Sequence, residues 1–568
     1  MNFPAGRGRA ALLRAPPFPE LTRIVRVLPP APAASPATGQ DRIALFKAVR
    51  KARVGGTFWA KQANLEPADI VIRARSRTEA KSLRGDYAAD QVVCIAHPHA
   101  IVSRNEQAFD AGSDVDPWSI LSQAKELVAH GDDEWVALAR IAGLPVRILS
   151  PGPFGEPGDD NDILDDRAAH ALAQPMHDPF ADDWVAPLDA IALLAEWRRC
   201  IDANRGAQDQ TIVAACGISW WKRDEVRRFL WVPGVPLKIA RSANRALALA
   251  EARGGALAVW PSRVSKSLLQ QAERKGVPIV RIEDGFVRSV GLGSNLVPPS
   301  SVIIDRQGIH YDPRVPSDLE TILATEDFSP DLLDRARMLR ETIVDTGISK
   351  YARAASRRAK TQDAARDRRI VLVPGQVEDD MSVLAGGAGL TSNLELLRRT
   401  RDLEPDAEIW WRPHPDVDAG HRNGHVGDAA ALHYADRIVR EDAMVDLLDA
   451  VDAVHVLTSL SGFEALLRGR EVICHGIPFY AGWGLTRDIA AVPERRARTL
   501  SLDELVAGVL LLYPRYLDPV TGLPCPPEIL VKRMVQQQMR NRHGWIEPAR
   551  RFQGRIMAHR RARAKAGK

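Results

Sequence analysis

The chain has 568 residues, 45% of them apolar, and a formal net charge of only +5. That length exceeds one ordinary core, so roughly two to four domains are expected. No apolar run reaches the roughly 20 residues of a membrane-crossing helix, and the Pro- and Arg-rich start lacks a secretory apolar segment, which predicts a cytoplasmic protein. Five scattered cysteines, Cys94, Cys200, Cys216, Cys474 and Cys525, without CxxC spacing, argue against a structural zinc site or a disulfide framework.

In chain order, residues 1–40 read as an irregular arm rich in Pro, Ala and Arg. Residues 41–205 read as an N-terminal α/β domain, with helices over 43–52 and 118–129 and strands over 69–73 and 91–96. Short echoes link it to a later block. Residues 92–98, ending in His97-Pro98, resemble residues 409–415, ending in His414-Pro415. Residues 137–140, Gly143 and Pro153-Phe154 echo residues 465–468, Gly469 and Pro478-Phe479. The N-terminal third therefore reads as a degenerate transferase half that lacks the polar residues at the strand ends. Residues 161–206, acidic loops followed by a helix over 188–203, read as a connector.

A second α/β block is expected over 206–345. Within it a strand over 256–260, a helix over 265–275 closed by Gly276, and an apolar strand over 277–282 form a β-α-β unit. The second strand breaks into Glu283-Asp284-Gly285, flanked by Arg281 and Arg288-Ser289. Ligands of open parallel sheets bind beyond the carboxyl ends of strands, which places Glu283 and Asp284 at such an edge. Gly285 is expected to turn the chain sharply there, and the arginines to hold an anion or keep the aspartate ionised. The plainer reading is a turn with surface ion pairs. A charged helical stretch over 329–369 links this block to the next.

The block over 346–530 carries the densest signal. The strand 370–374 runs into Gly375-Gln376, and Ser392 with Glu395 has capping-box spacing for a helix reaching about residue 401. A strand over 408–411 ends in Arg412-Pro413-His414, and one over 453–457 ends in Thr458-Ser459-Leu460-Ser461-Gly462. Hydroxyls and free N–H groups at a helix N-terminus are a natural phosphate seat, completed by Arg412 and His414 from the neighbouring strand. Plain helix capping by the serines and a packed loop histidine are the simpler alternatives. No Walker A sequence or strand-following GxGxxG is present, which disfavours ATP hydrolysis and dinucleotide redox chemistry. Asp159-Asp160 and Asp379-Asp380 could be read as metal ligands but suit solvated loops better. Residues 531–568 are expected to form a helix and a basic tail, with Arg550, Arg551, Arg560, Arg561 and Lys568 among its cations.

A carboxylate on one α/β lobe and a phosphate seat on another suggest group transfer across a cleft, most economically in a GT-B glycosyltransferase of two Rossmann-like lobes. The segments RIEDGFVRSVGLGS, VPGQVEDD, RPHPD, TSLSGFEALLRG, HGIPFYAGWGLTRD and LYPRYLDPVTGLPC closely resemble bacterial capsule polysaccharide biosynthesis proteins of the KpsC type, the β-Kdo transferases. The match runs from about 206 to 527. The resemblance implies a GT-B fold, CMP-β-Kdo as donor substrate with no cofactor or metal, and β-Kdo transfer onto a Kdo-bearing lipid linker of capsular polysaccharide. It is also similar to bacterial sialyltransferases, which set a D/E-D/E-G motif, an HP motif and a Ser-rich motif against a CMP-sugar. By that likeness Asp284 takes the catalytic carboxylate position with Glu283 beside it. His414, Ser459, Ser461 and Thr458 take the donor phosphate, Gln376 and Arg412 line the cleft, and Arg281, Arg288 and Ser289 serve the acceptor or sugar. Asp284 is either a nucleophile in a retaining reaction or a general base in an inverting one. KpsC-type proteins commonly carry two such modules, each with its own EDG segment, and only one EDG stands here.

The implied partners are CMP-Kdo, a lipid-linked Kdo acceptor, the inner-membrane surface through the basic tail, and other capsule biosynthesis or export proteins, with no nucleic acid. A transferase for another CMP-sugar and a non-catalytic capsule assembly or export factor are the alternatives.

Overall fold

The structure, a computed structural model, describes residues 11–21, 39–100, 109–181, 183–207, 210–288, 297–348 and 368–536. Ser289, most of the expected N-terminal arm and the basic tail over 550–568 lie outside the described residues. The chain divides into two units, one of residues 1–206 with Leu230–Pro236, the other holding the rest. Among the described residues no helix is long and apolar enough to cross a membrane.

The first unit is built on a parallel sheet of β1 (Ile70–Ala74), β2 (Val92–Ala96), β3 (Glu126–Ala129) and β4 (Val146–Ile148), in the order β2-β1-β3-β4. Two expectations fail here. Residues 118–129 are not one helix but a single turn, Trp118–Leu121, followed by strand β3. The four-residue strand is too short to show a period of its own. Residues 161–206 are no loose connector either. In place of the expected loops stand a helix, Asn161–Leu172, and a hairpin of β5 (Met176–Asp178) and β6 (Asp183–Val185), while the helix expected over 188–203 is the long helix Pro187–Arg205. That last helix is pinned by a buried 2.6 Å ion pair from Arg198 to Asp116 and by Trp197 edge-on to Phe18.

The strand ends of this sheet are also polar, contrary to expectation. Arg73 at the end of β1 pairs with buried Asp133 at 2.7 Å beneath the Trp135 ring. His97 follows β2, and His130 follows β3 with its Nδ1 2.9 Å from Ser150 Oγ. A chain reversal closes over them so tightly that a Cβ on Gly131 would stand 1.9 Å from the Gly155 carbonyl oxygen. The two histidine rings face carboxylates, His97 Nε2 lying 3.3 Å from Asp132 and His130 Nε2 3.1 Å from Glu79.

The second unit holds two sheets. One is seven-stranded, of β7 (Ile212–Cys216), β8 (Lys238–Ile239), β9 (Ala256–Val259), β10 (Ile279–Asp284), β11 (Ser301–Asp305), β18 (Pro514–Leu517) and β19 (Pro524–Cys525), ordered β19-β18-β11-β10-β9-β7-β8. Its β8-β7-β9-β10 part is parallel, and β11, β18 and β19 continue it antiparallel. The other sheet is wholly parallel, of β12 (Ile370–Pro374), β13 (Glu408–Arg412), β14 (Arg437–Ile438), β15 (Ala453–Val456), β16 (Glu471–Cys474) and β17 (Arg487–Asp488), ordered β14-β13-β12-β15-β16-β17. Its central strands β12 and β15 are buried along their whole length, apolar in a helix-covered parallel sheet except at His455 of β15.

Strands β18 and β19 lie inside the expected 346–530 block, yet β18 pairs with β11 and β19 with β18. The chain thus returns to the first sheet before its last described helix, Pro527–Val535. The echoes between the two halves of the sequence fall at matching places. The order β2-β1-β3-β4 repeats as β13-β12-β15-β16, with His97 and His414 after the second strand of each set. Residues 137–140 and 465–468 sit in or at the end of the helices Trp135–Ala142 and Leu460–Leu467, each between the third and fourth strands of its set.

Candidate active site

Strands β10, β12, β13 and β15 end on one cleft of about 560 Å³ within the second unit. Glu283, Asp284, Phe286, His310 and Tyr311 line one side, and Gln376, Ser382, Arg412, His414 and Thr458–Ser461 contribute to the other.

On the first side, β10 pairs parallel with β9 and antiparallel with β11, which carries its last residue, Asp284, to the sheet edge. The glycine that follows is required for a reason other than a turn. A Cβ on Gly285 would meet Ser301 Oγ at 2.2 Å, so close passage of β11 selects glycine. Both oxygens of Asp284 are held by cations, Oδ1 by Lys222 Nζ at 3.0 Å and Oδ2 by Arg288 Nε at 2.9 Å. Arg288 is fully buried and also donates to the Val297 carbonyl at 3.0 Å. Lys222 lies 3.6 Å over the Trp260 ring and 5.0 Å from that of Trp221. Burial lowers its ammonium pKa from the ordinary lysine value, with Asp284 opposing that shift. Glu283 turns its Oε1 back to accept from the Asp284 amide at 3.1 Å. Arg281 is not among the cleft-lining residues; it donates to the Gln307 carbonyl at 3.4 Å.

On the second side, His414 caps the short helix Pro415–Asp418, its Nδ1 accepting from the Asp416 amide at 3.2 Å. With Nδ1 an acceptor, the ring proton belongs on Nε2. Burial lowers the His414 pKa, so the ring serves as a neutral donor. Ser459 caps the helix Leu460–Leu467, accepting from the Ser461 amide at 3.2 Å and donating to Ser461 Oγ at 3.1 Å. The Tyr480 hydroxyl donates to the Ser459 carbonyl from beneath, and a Cβ on Gly462 would strike that hydroxyl at 2.2 Å. Gln376 positions the turn: its Oε1 accepts from the Thr458 amide at 2.9 Å and its Nε2 donates to Thr458 Oγ1 at 3.0 Å. Arg412 lines the cleft while donating to the Val439 carbonyl at 3.0 Å and to that of Arg440.

The acidic pair Asp379-Asp380 is engaged locally. Asp379 pairs with Arg422 at 3.2 Å, and Asp380 caps the helix Met381–Gly386. Among the described residues no three His, Cys, Asp or Glu side chains are grouped to hold a metal ion. Ser392 accepts from the Glu395 amide at 3.4 Å, but Glu395 turns to Arg398 and Arg399, so only half of the expected capping box forms.

The sequence reading did not single out Lys222, His310 or Tyr311. Lys222 ends a short turn, Trp220–Lys222, that follows the buried strand β7, and the cations Lys222-Arg223 just after such a strand are the signal that could have found it. His310 packs on Phe286 at 5.0 Å and on Phe479 at 5.6 Å between centroids, in an aromatic wall of the cleft.

Comparison with known proteins bears on residues at this cleft. The family described as capsule polysaccharide biosynthesis protein matches residues 255–516. The capsule polysaccharide modification protein LipA of Neisseria meningitidis serogroup A is 39% identical over 350 residues, 62% of this chain and 48% of LipA. The chain therefore spans about half the length of the meningococcal relatives it matches. The lipopolysaccharide-processing protein LpsZ of Rhizobium meliloti is 38% identical over 54% of this chain and 71% of LpsZ. Two solved chains of Thermosulfurimonas dismutans KpsC, titled beta Kdo 2,7 and beta Kdo 2,4 transferase, are 36% and 32% identical. Each alignment covers 57% of this chain and 99% of the solved one, with TM-scores of 0.47 and 0.49. The family match takes in the β10 strand end, the His414 loop and the Thr458–Ser461 turn, and LpsZ is matched over most of its length. The chain belongs to the capsule polysaccharide biosynthesis proteins.

Proposed function

We propose that the chain is a GT-B glycosyltransferase that moves β-Kdo from CMP-Kdo onto a Kdo-bearing lipid in capsular polysaccharide synthesis. The half built on the six-stranded sheet takes the CMP-sugar, and the half built on the seven-stranded sheet supplies Asp284 and the acceptor subsite. The observation that carries this reading is the shared cleft, lined by a cation-held carboxylate and by a helix N-terminal hydroxyl turn with a histidine N–H donor. The choice of Kdo rests on the motifs shared with KpsC-type β-Kdo transferases.

His414 Nε2–H and the Thr458–Ser461 turn meet the leaving phosphate, where negative charge grows in the transition state. An oxygen of Asp284 bonds to the anomeric carbon as the carbon–oxygen bond to phosphate breaks, and that electron pair leaves with CMP. The acceptor hydroxyl then attacks the same carbon, the ester bond breaks, its electron pair returns to Asp284, and the hydroxyl proton passes to solvent. Two inversions turn a β-donor into a β-product. The two ion pairs fix the Asp284 carboxylate at the cleft for attack on the anomeric carbon, and a general base in an inverting transfer is the alternative. A lipid acceptor and the basic tail over 550–568 suit a cytoplasmic enzyme at the inner-membrane surface, where other capsule proteins would meet it.

The test is product analysis with CMP-Kdo generated in situ and a synthetic Kdo-lipid. The expected product carries one further β-linked Kdo. Transfer from a different CMP-sugar alone would replace the donor, and no transfer from any CMP-sugar would refute the reading.

A further inference from the structure

We propose that Lys222 is the positioning residue that makes the sugar ester on Asp284 short-lived, by holding a buried positive charge against the oxygen that must leave as carboxylate. The inference rests on the nucleophile reading of Asp284. Lys222 and Asp284 stand 62 residues apart in sequence, and their side chains meet at 3.0 Å at the ends of neighbouring parts of one sheet. The ammonium is buried, capped by Trp260 and flanked by Trp221, so little water is at hand to take over the aspartate's part.

The charged groups facing this ammonium are Asp284 and Glu283 from β10 and Arg288 from the segment after it. Two cations therefore stand against two carboxylates in the resting site. When Asp284 bonds to the anomeric carbon its charge is lost, and Lys222 and Arg288 are left with Glu283 alone. The ester is raised in energy relative to the free carboxylate, and its departure restores the ion pair. Lys222 in this way acts on both halves of the reaction: it aims Oδ1 for attack, then pulls the carboxylate off the sugar.

The test follows the adduct in time by intact-protein mass spectrometry, with CMP-Kdo first and a Kdo-lipid acceptor added later. Wild type is compared with Lys222→Met, Lys222→Gln and Lys222→Arg, and all are checked by thermal melting and CMP binding. The two uncharged variants should hold the adduct roughly ten- to hundredfold longer than wild type, the range expected for losing a hydrogen bond to a charged group. Lys222→Arg should restore its resolution. Adducts that resolve equally fast in wild type and in both uncharged variants would overturn the role of Lys222 and leave the nucleophile standing. No adduct in any protein, with transfer intact, would overturn the nucleophile reading and this proposal together. If Lys222→Met fails to fold, Lys222→Gln, which keeps a polar tip beside Asp284, decides the matter.

Discussion

Replacing His414 by alanine separates donor binding from the rest of the cleft. The side chain has two roles. Its Nδ1 accepts from the Asp416 amide, and the ring proton this leaves on Nε2 is free to meet a phosphate. Losing the cap of a helix only four residues long, Pro415–Asp418, costs about 1 kcal/mol of stability at most. Losing a preorganised donor to the leaving phosphate costs about 2 to 4 kcal/mol of transition-state stabilisation, roughly 30- to 1,000-fold in turnover. The second effect therefore outweighs the first. The assay is CMP release against donor concentration at saturating acceptor, with a thermal melt beside it. The acceptor KM should move little, since the carboxylate side of the cleft is untouched. His414→Asn, which can cap the helix but reaches less far, should recover the melt and not the turnover. Turnover of His414→Ala within a few fold of wild type would remove His414 from the phosphate seat.

Asp284→Asn should abolish transfer while CMP still binds, and donor without acceptor should add one Kdo to wild type at Asp284; an active Asn variant would end the assignment. Acid should loosen the fold through the buried pair His455 and His475, whose rings meet at 3.0 Å and whose pKa values burial lowers to about 3 and about 4. The folded state then binds fewer protons than the unfolded chain, so this stability is complete above pH ~6.5 and is lost as pH falls toward 4, by roughly 2 kcal/mol per ring at pH 5. Melts at pH 7 and pH 5 measure it; a double variant with both rings replaced by apolar residues should flatten the difference, and an undiminished slope would exclude the pair as its source. Removing residues 550–568 should shift the protein from membrane to soluble fractions in a salt-sensitive way, since each basic residue near an anionic leaflet contributes about 1 kcal/mol; unchanged partitioning would refute the tail's role.

The strand ends at Asp284, His414 and Thr458 were legible from sequence because each ends an apolar strand, and the break from apolar to polar is a local signal. The helix starts at Ser265 and Ser392 were legible for the same reason, since a cap acts on amides two or three residues away. Even the weak echo between His97-Pro98 and His414-Pro415 pointed to a shared order of strands. Tertiary structure decided what depends on segments far apart in the chain. The pairing of Asp284 with Lys222, the need for glycine at 285 where Ser301 passes, and the return of β18 and β19 to the first sheet are all of this kind. So is strand β3, whose four residues show no period and become a strand because β1 and β4 flank them. Arg281 and Arg288 make the point within a single stretch: both flank the same carboxylates, yet only Arg288 reaches Asp284, because the backbone after Gly285 turns it into the buried site while Arg281 donates to the Gln307 carbonyl.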